Sequence, residues 1–107
     1  MYRGTTPTLI FKANLDLDTI INLTIVFKQG EEIKLKKYLE DCEVDTENKK
    51  ISVTLSEDET IEFIPNKDLH IQMRIRFEDG TVISSKAMTI YIDDILEEDI
   101  LQEDTSI

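Results

Sequence analysis

An alternation of apolar and polar residues from Leu69 to Phe77 constrains the fold more than any other feature of this chain. The apolar residues occupy every second position of the segment. The polar residues between them are His70, Gln72, Arg74 and Arg76. A helix would spread the five apolar side chains around its circumference, whereas a strand places all of them on one face. The segment is therefore predicted to be a long β-strand with one buried face and one face in solvent.

Similar alternation recurs along most of the chain. Strands are predicted over residues 8–13, 21–28, 33–37, 51–55, 82–84 and 87–92, with a further short segment at 42–44. In the second and third of these strands, the apolar alternation begins at Ile21 and Ile33, which places both residues on the predicted buried face. Gln29-Gly30 offers one turn, and Asp79-Gly80 is expected to form a hairpin turn in which both central residues have positive φ. The pattern gives seven strands, or eight with residues 42–44.

One break in the alternation indicates a helical turn. Ser56-Glu57-Asp58-Glu59 has the spacing of a capping box, which predicts a single turn over about residues 57–62 with Ile61 and Phe63 folded inward. Such a turn commonly links the two sheets of immunoglobulin-like sandwiches. Turn signals recur too closely for the crossover helices of a parallel sheet. The predicted fold is an all-β, immunoglobulin-like antiparallel β-sandwich of about seven strands with one short helical turn.

Length and charge limit the organisation of the chain and its partners. A chain of 107 residues fits one domain, with a folded body over about residues 5–93 and an acidic tail at 94–107. The net charge of -11 disfavours nucleic acid and anionic membranes as partners. Residues 93–107 contain seven acids and no Lys or Arg. The apolar residues among them are compatible with three alternatives for this segment: a short amphipathic helix, a partner-binding peptide or a frayed end.

Residues that could carry chemistry are scarce. His70 is the only histidine, and without a neighbouring nucleophile it is interpreted as a surface residue. Cys42 is the only cysteine, which excludes an intrachain disulfide, and Asp41 and Glu43 should raise its pKa. No acidic segment, including Asp45-Thr46-Glu47, matches a calcium-binding loop. The chain is therefore predicted not to be an enzyme and to have no cofactor, metal site or small-molecule substrate.

Two segments of the sequence carry basic side chains that could form interaction surfaces. The polar residues of the Leu69–Phe77 strand form a partly basic stripe that the acidic tail of the same or a neighbouring subunit could bind. The candidate interaction residues are His70, Gln72, Arg74, Arg76, Asp94, Glu97 and Glu98. A sheet face exposed to solvent without a partner is the alternative. Lys34, Lys36 and Lys37 are interpreted as a solvated strand face.

Several short segments of the sequence resemble those of a known family. They are Arg3-Gly4-Thr5-Thr6-Pro7-Thr8, Leu39-Glu40-Asp41-Cys42, residues 52–60, and Gln72-Met73-Arg74-Ile75-Arg76 with Asp79-Gly80-Thr81. In these the chain resembles the immunoglobulin-like N-terminal domain of phage baseplate upper proteins and the small prophage tail-operon proteins similar to it. The resemblance implies a non-enzymatic structural or assembly protein of a phage or prophage tail. It assigns no functional residue.

The same resemblance implies partners and a location. The expected partners are other phage tail or baseplate proteins or further copies of the chain, in the virion or in the bacterial cytoplasm before assembly. No apolar segment has the length of a signal peptide or a membrane span. The alternative function is a free-standing adaptor or carbohydrate-binding module. The chain has no Trp, and Tyr2, Tyr38 and Tyr91 are dispersed.

Overall fold

Eight β-strands dominate the computed structural model of the chain, which describes residues 1–94. They are β1 (Thr8–Lys12), β2 (Ile20–Gln29), β3 (Glu32–Tyr38), β4 (Cys42–Asp45), β5 (Lys50–Thr54), β6 (Lys67–Phe77), β7 (Val82–Ser84) and β8 (Met88–Ile92). A 3₁₀ turn covers Leu39–Asp41, and the short helix α1 covers Glu57–Ile61. Every predicted strand is present, including the one at residues 42–44. Neither helical element has the length or hydropathy that a membrane span requires.

The strands form two antiparallel sheets. The smaller sheet has the order β1-β5-β4, and the larger has the order β3-β2-β6 followed by β7 and β8. β7 pairs with Arg74–Arg76 and β8 with Lys67–Ile71, so that together they make one interrupted strand beside β6. Buried side chains of both sheets belong to one hydrophobic core.

The strand order matches that of an immunoglobulin-like sandwich. If β1 to β6 are taken as strands B, C, C′, D, E and F, and β7 with β8 as strand G, the sheets read B-E-D and C′-C-F-G. Helix α1 lies between β5 in one sheet and β6 in the other, as predicted. The all-β sandwich is therefore confirmed. No strand within residues 1–94 takes the place of strand A beside β1.

The core is built on the two long central strands. β2 and β6 are antiparallel neighbours, and their inward side chains meet in register, with Ile25 opposite Met73 and Phe27 opposite Ile71. All five apolar side chains of the Leu69–Phe77 alternation are buried. The ring of Phe27 stacks on that of Phe63, with 6.3 Å between the centroids. The predicted buried face of the longest strand is thus confirmed.

Two irregularities in strand pairing move predicted core residues to the surface. The β2–β6 register shifts between Ile20 and Asn22, and Ile21 is 52% exposed. The β2–β3 register shifts after Phe27, which places Ile33 opposite Lys28 with 49% exposure. Because side chains alternate with period two, a shift of one residue reverses the face. Assigning Ile21 and Ile33 to the core was therefore wrong.

The hairpin between β6 and β7 forms with a different turn from the predicted one. Gly80 has a φ of 89°, whereas Asp79 is not among the residues with positive φ. The Gly80 amide donates to the Phe77 carbonyl, and the Phe77 amide donates to the Thr81 carbonyl, both at 2.9 Å. These bonds enclose a three-residue loop with a glycine bulge, which needs only one positive φ. The expectation of two positive φ values was wrong, because the loop is one residue longer than assumed.

Helix α1 is fixed by the predicted capping box and by an unpredicted ion pair. The Ser56 hydroxyl accepts from the Glu59 amide at 3.2 Å, and the Glu59 carboxylate accepts from the Ser56 amide at 2.8 Å. The second carboxylate oxygen lies 2.6 Å from Lys37 Nζ. Lys37 is opposite Ile25, on the core-facing side of β3, so its interpretation as a solvated residue was wrong. Thr60, and not Ile61, is the fully buried residue of this turn.

The carboxyl group of Glu59 is stabilised in its ionised form. Burial raises its pKa, but hydrogen bonds from Lys37 and from the Ser56 amide outweigh burial and lower the pKa below its ordinary value. A carboxyl group whose folded-state pKa is lowered stabilises the fold above its unfolded pKa. That contribution is lost as the pH falls through the folded-state value.

Replacing Glu59 should therefore reduce the free energy of unfolding by an amount that depends on pH. Glu59→Gln is expected to reduce the free energy of unfolding by about 1 kcal/mol at neutral pH, through loss of a largely buried ion pair. The difference from the wild type should shrink below pH ~4.3, where unfolded glutamate becomes protonated. Urea unfolding followed by circular dichroism at several pH values measures both effects. Glu62→Gln, on an exposed neighbour, is the control, and an equal pH-independent loss in both variants would contradict the prediction.

Candidate interaction surfaces

The polar stripe of β6 lies on the outer face of the larger sheet, as predicted. His70, Gln72, Arg74 and Arg76 are all exposed. Each lies beside an outward-facing residue of β2. The pairs are His70 with Lys28, Gln72 with Val26, Arg74 with Thr24, and Arg76 with Asn22. The structure therefore brings four of the predicted interaction residues together.

Neighbouring strands extend this stripe into a wider cationic area. We use "basic face" for the outer surface of the larger sheet around Lys28, Lys36, His70, Arg74 and Arg76. Lys36 joins it from β3, where it pairs with Val26. Among the paired outward positions of the larger sheet, as described in residues 20–92, Asp68 near the start of β6 is the one acid. The chain has 23 acids and 12 bases, so the basic face reverses the charge of the molecule locally.

Hydrogen bonds to β8 and to the segment before it hold two side chains of the basic face. His70 Nδ1 lies 3.1 Å from the Thr89 hydroxyl, and the Gln72 side-chain amide donates to the Ser85 carbonyl at 2.9 Å. A shallow hollow of about 240 Å³ lies between these residues and β2. Tyr38 and Tyr91 are exposed on strands at opposite edges of this sheet, so their rings do not form one platform.

The other titratable residues singled out in the sequence serve local structure. Burial is the largest cause that raises the pKa of the Cys42 thiol, and Asp41 adds to it, which confirms the predicted direction. Asp45 accepts from the backbone and side-chain amides of Asn48 and so closes the turn between β4 and β5. These hydrogen bonds lower the pKa of Asp45. Within residues 1–94 no group of three or more His, Cys, Asp or Glu is arranged to hold a metal ion.

A second surface, which the sequence pattern did not reveal, is an apolar groove along one side of the sandwich. It has a volume of about 470 Å³ and lies between β1 on the smaller sheet and β7 with β8 on the larger. The apolar side chains that line it include Phe11, Ala13, Leu15, Met73, Ile75, Ile83 and Met88. The groove is open because the smaller sheet ends at β1, where strand A of an immunoglobulin-like sandwich would lie.

The backbone of β1 forms the rim of this groove. The Pro7 carbonyl accepts from the Leu55 amide at 3.0 Å, and the Ala13 amide donates to the Lys49 carbonyl at 2.9 Å. Odd-numbered residues of β1 therefore bond toward β5, and by alternation the amides and carbonyls of the even-numbered residues point to the open edge. These residues are Thr8, Ile10 and Lys12. Ile10 is 58% exposed. An isoleucine at a polar position of the alternation is the sequence signal that could have indicated this edge.

The last described residues, Asp93 and Asp94, are held by contacts with the N-terminal segment. Tyr2 forms a parallel bridge with Asp93, and the buried Arg3 side chain donates to the Asp94 carboxylate at 3.0 Å and to the Ile61 carbonyl at 2.8 Å. Asp94 is thus bound by Arg3, and the structure does not bring it to the basic face. The predicted interaction residues Glu97 and Glu98, together with the alternatives weighed for the tail, fall outside the described residues.

Comparison with known protein families gave no match. Comparison with curated proteins also gave none. The resemblance to phage baseplate domains therefore stays a prediction, and the fold assignment rests on the strand topology described above.

Arg3 should be a stability determinant at this end of the molecule. Arg3→Met is expected to reduce the free energy of unfolding by about 2 kcal/mol, because the partly buried Ile61 carbonyl and the Asp94 carboxylate lose charge-assisted hydrogen bonds. Hydrogen exchange at the Asp93 amide should accelerate as the terminal pairing loosens. Arg76→Met, on the exposed basic face, is the matched control and should change stability by less than about 0.5 kcal/mol. Equal effects of the two substitutions would refute this role.

Proposed function

We propose that the protein is a non-enzymatic assembly module of a phage or prophage tail and that it acts through contacts with neighbouring tail proteins. The resemblance to baseplate domains is the basis for proposing a phage tail as the protein's location. The observation that supports protein–protein contact is the open side of the sandwich, where an apolar groove lies beside an edge of β1 that no strand of residues 1–94 covers. The occupant that fits this side is an extended segment of a neighbouring subunit.

The chemistry of the groove explains why an extended segment fits. The outward amides and carbonyls of Thr8, Ile10 and Lys12 can form a ladder with an incoming strand. Every second side chain of that strand would enter the groove, since strand side chains alternate between faces. In β-strand addition the backbone bonds supply affinity, and the side-chain pockets supply specificity. The incoming strand would take the place of strand A.

Co-purification tests the assignment to a tail. The tagged full-length chain, expressed during induction of the phage, should remain with tail particles through density-gradient purification and should capture tail proteins from the lysate. Its absence from assembled particles and from all tail-protein pulldowns would sink the proposal.

A proline on the edge of β1 tests the proposed contact. Ile10→Pro removes an amide that points away from β5, so the sandwich loses no hydrogen bond, and proline is tolerated on edge strands. Capture of tail proteins should fall about tenfold, the effect of losing roughly one well-formed hydrogen bond. Ile10→Thr keeps the amide at the same position and should retain capture. If Ile10→Pro fails to fold, Lys12→Pro blocks the other end of the edge, and full capture by a folded proline variant contradicts the contact.

A further inference from the structure

Four cations of the basic face have no carboxylate partner among residues 1–94. They are Lys28, Lys36, Arg74 and Arg76. Elsewhere in the same range, three cations form ion pairs, whereas Lys12, Lys49, Lys50, Lys67 and Lys86 are dispersed and form none within residues 1–94. Arg3 binds Asp94, Lys34 binds Glu32 and Lys37 binds Glu59. In a chain with about two acids for each base, this surface is a concentration of uncompensated positive charge that fits an acidic ligand.

From this we infer that the basic face binds the chain's own acidic C-terminal segment, residues 95–107, within the same molecule. The segment contains five carboxylates and no Lys or Arg. They are Glu97, Glu98, Asp99, Glu103 and Asp104. Its charge is therefore complementary to that of the basic face. Nucleic acid and anionic lipid are poorer ligands, because the net charge of -11 repels them.

The point at which the described chain ends makes this contact possible. Ile92, near the end of β8, is opposite Lys67 at the start of β6, and the segment departs from Asp94. Continuing this antiparallel register places Asp94 at the level of residue 65, so Arg76, the most distant cation of the stripe, lies roughly 36 Å away at about 3.3 Å per strand residue. Thirteen residues span at most about 43 Å when extended. The segment can therefore reach every cation of the basic face.

Tethering favours the intramolecular contact over binding to a second copy. A ligand attached by a short linker has an effective concentration in the millimolar range, above that of the free protein in ordinary samples. Exposed ion pairs are individually weak and screened by salt, so the contact should depend on ionic strength. It uses the outer face of the larger sheet and not the β1 edge, so its failure would leave the proposed function untouched.

Paramagnetic relaxation in the full-length chain measures the contact directly. A nitroxide is attached to a cysteine placed by Ser106→Cys in a Cys42→Ser background. Signal loss is expected at the amides of Thr24, Gln72 and Arg74, and not at Ser52 on the outer face of the smaller sheet. Raising salt from about 0.1 M to about 1 M shortens the Debye length from about 10 Å to about 3 Å and should restore the signals. Signal loss confined to the smaller sheet, or absent from both sheets, would overturn the inference.

Charge reversal on the basic face supplies the specific test. Arg74→Glu with Arg76→Glu should lower the population of the contact about tenfold. Lys12→Glu with Lys50→Glu changes the net charge equally on the smaller sheet, and this control should leave the signal loss in place. If the double arginine variant does not fold, replacing the five tail carboxylates by amides removes the same attraction. An unchanged signal loss in the folded variants would overturn the inference.

A mixed sample separates contact within one molecule from contact between molecules. Spin-labelled protein without ¹⁵N is combined with ¹⁵N-labelled protein that carries no nitroxide. Contact within the molecule predicts no signal loss on the ¹⁵N-labelled protein at the basic face. The reference is the sample in which each molecule carries both the nitroxide and ¹⁵N. Signal loss as strong as in that sample would show binding between copies and would overturn the intramolecular assignment.

Discussion

The antiparallel pairing of β2 with β6 is the interaction on which the rest of the sandwich depends. These two strands are the longest, and the inward side chains of both enter one core. β3 extends the sheet beyond β2, while β7 and β8 extend it beyond β6. The smaller sheet then covers the apolar face, chiefly through Ile51 and Val53 of β5. Because so much apolar area is buried by one strand pair, its register decides which side chains the remaining strands meet.

The connection between β5 and β6 is fastened to this core by polar side chains. The Gln29 side chain is buried and bonds both the amide and the carbonyl of Ile64, at 2.7 and 2.9 Å. The buried Thr60 hydroxyl likewise binds both backbone groups of Thr5. Such bonds satisfy backbone groups that would be costly to bury alone. The Thr5–Thr60 bonds and the Tyr2–Asp93 bridge hold the N-terminal segment beside α1 and the end of β8, and the edge of β1 is uncovered within residues 1–94.

Two chemically different surfaces result from this arrangement. The lateral groove is apolar and is bordered by backbone groups, whereas the basic face is polar and positively charged. The groove exists because one sheet is narrower than the other. The basic face exists because outward positions of three neighbouring strands happen to carry cations at residues far apart in the chain, Lys36 and Arg74 among them. Alternation within a single strand identified only the β6 part of that face.

Features that depend on residues close together in the chain could be predicted from the sequence. The Leu69–Phe77 alternation, the capping box at Ser56 and the position of the Asp79-Gly80 turn all follow from local geometry and were confirmed. Tertiary structure alone decided the exposure of Ile21 and Ile33, the Lys37–Glu59 ion pair, the burial of Arg3 and the groove beside β1. Each of these depends on which strands become neighbours and in which register, and that choice is made by packing between residues distant in the sequence.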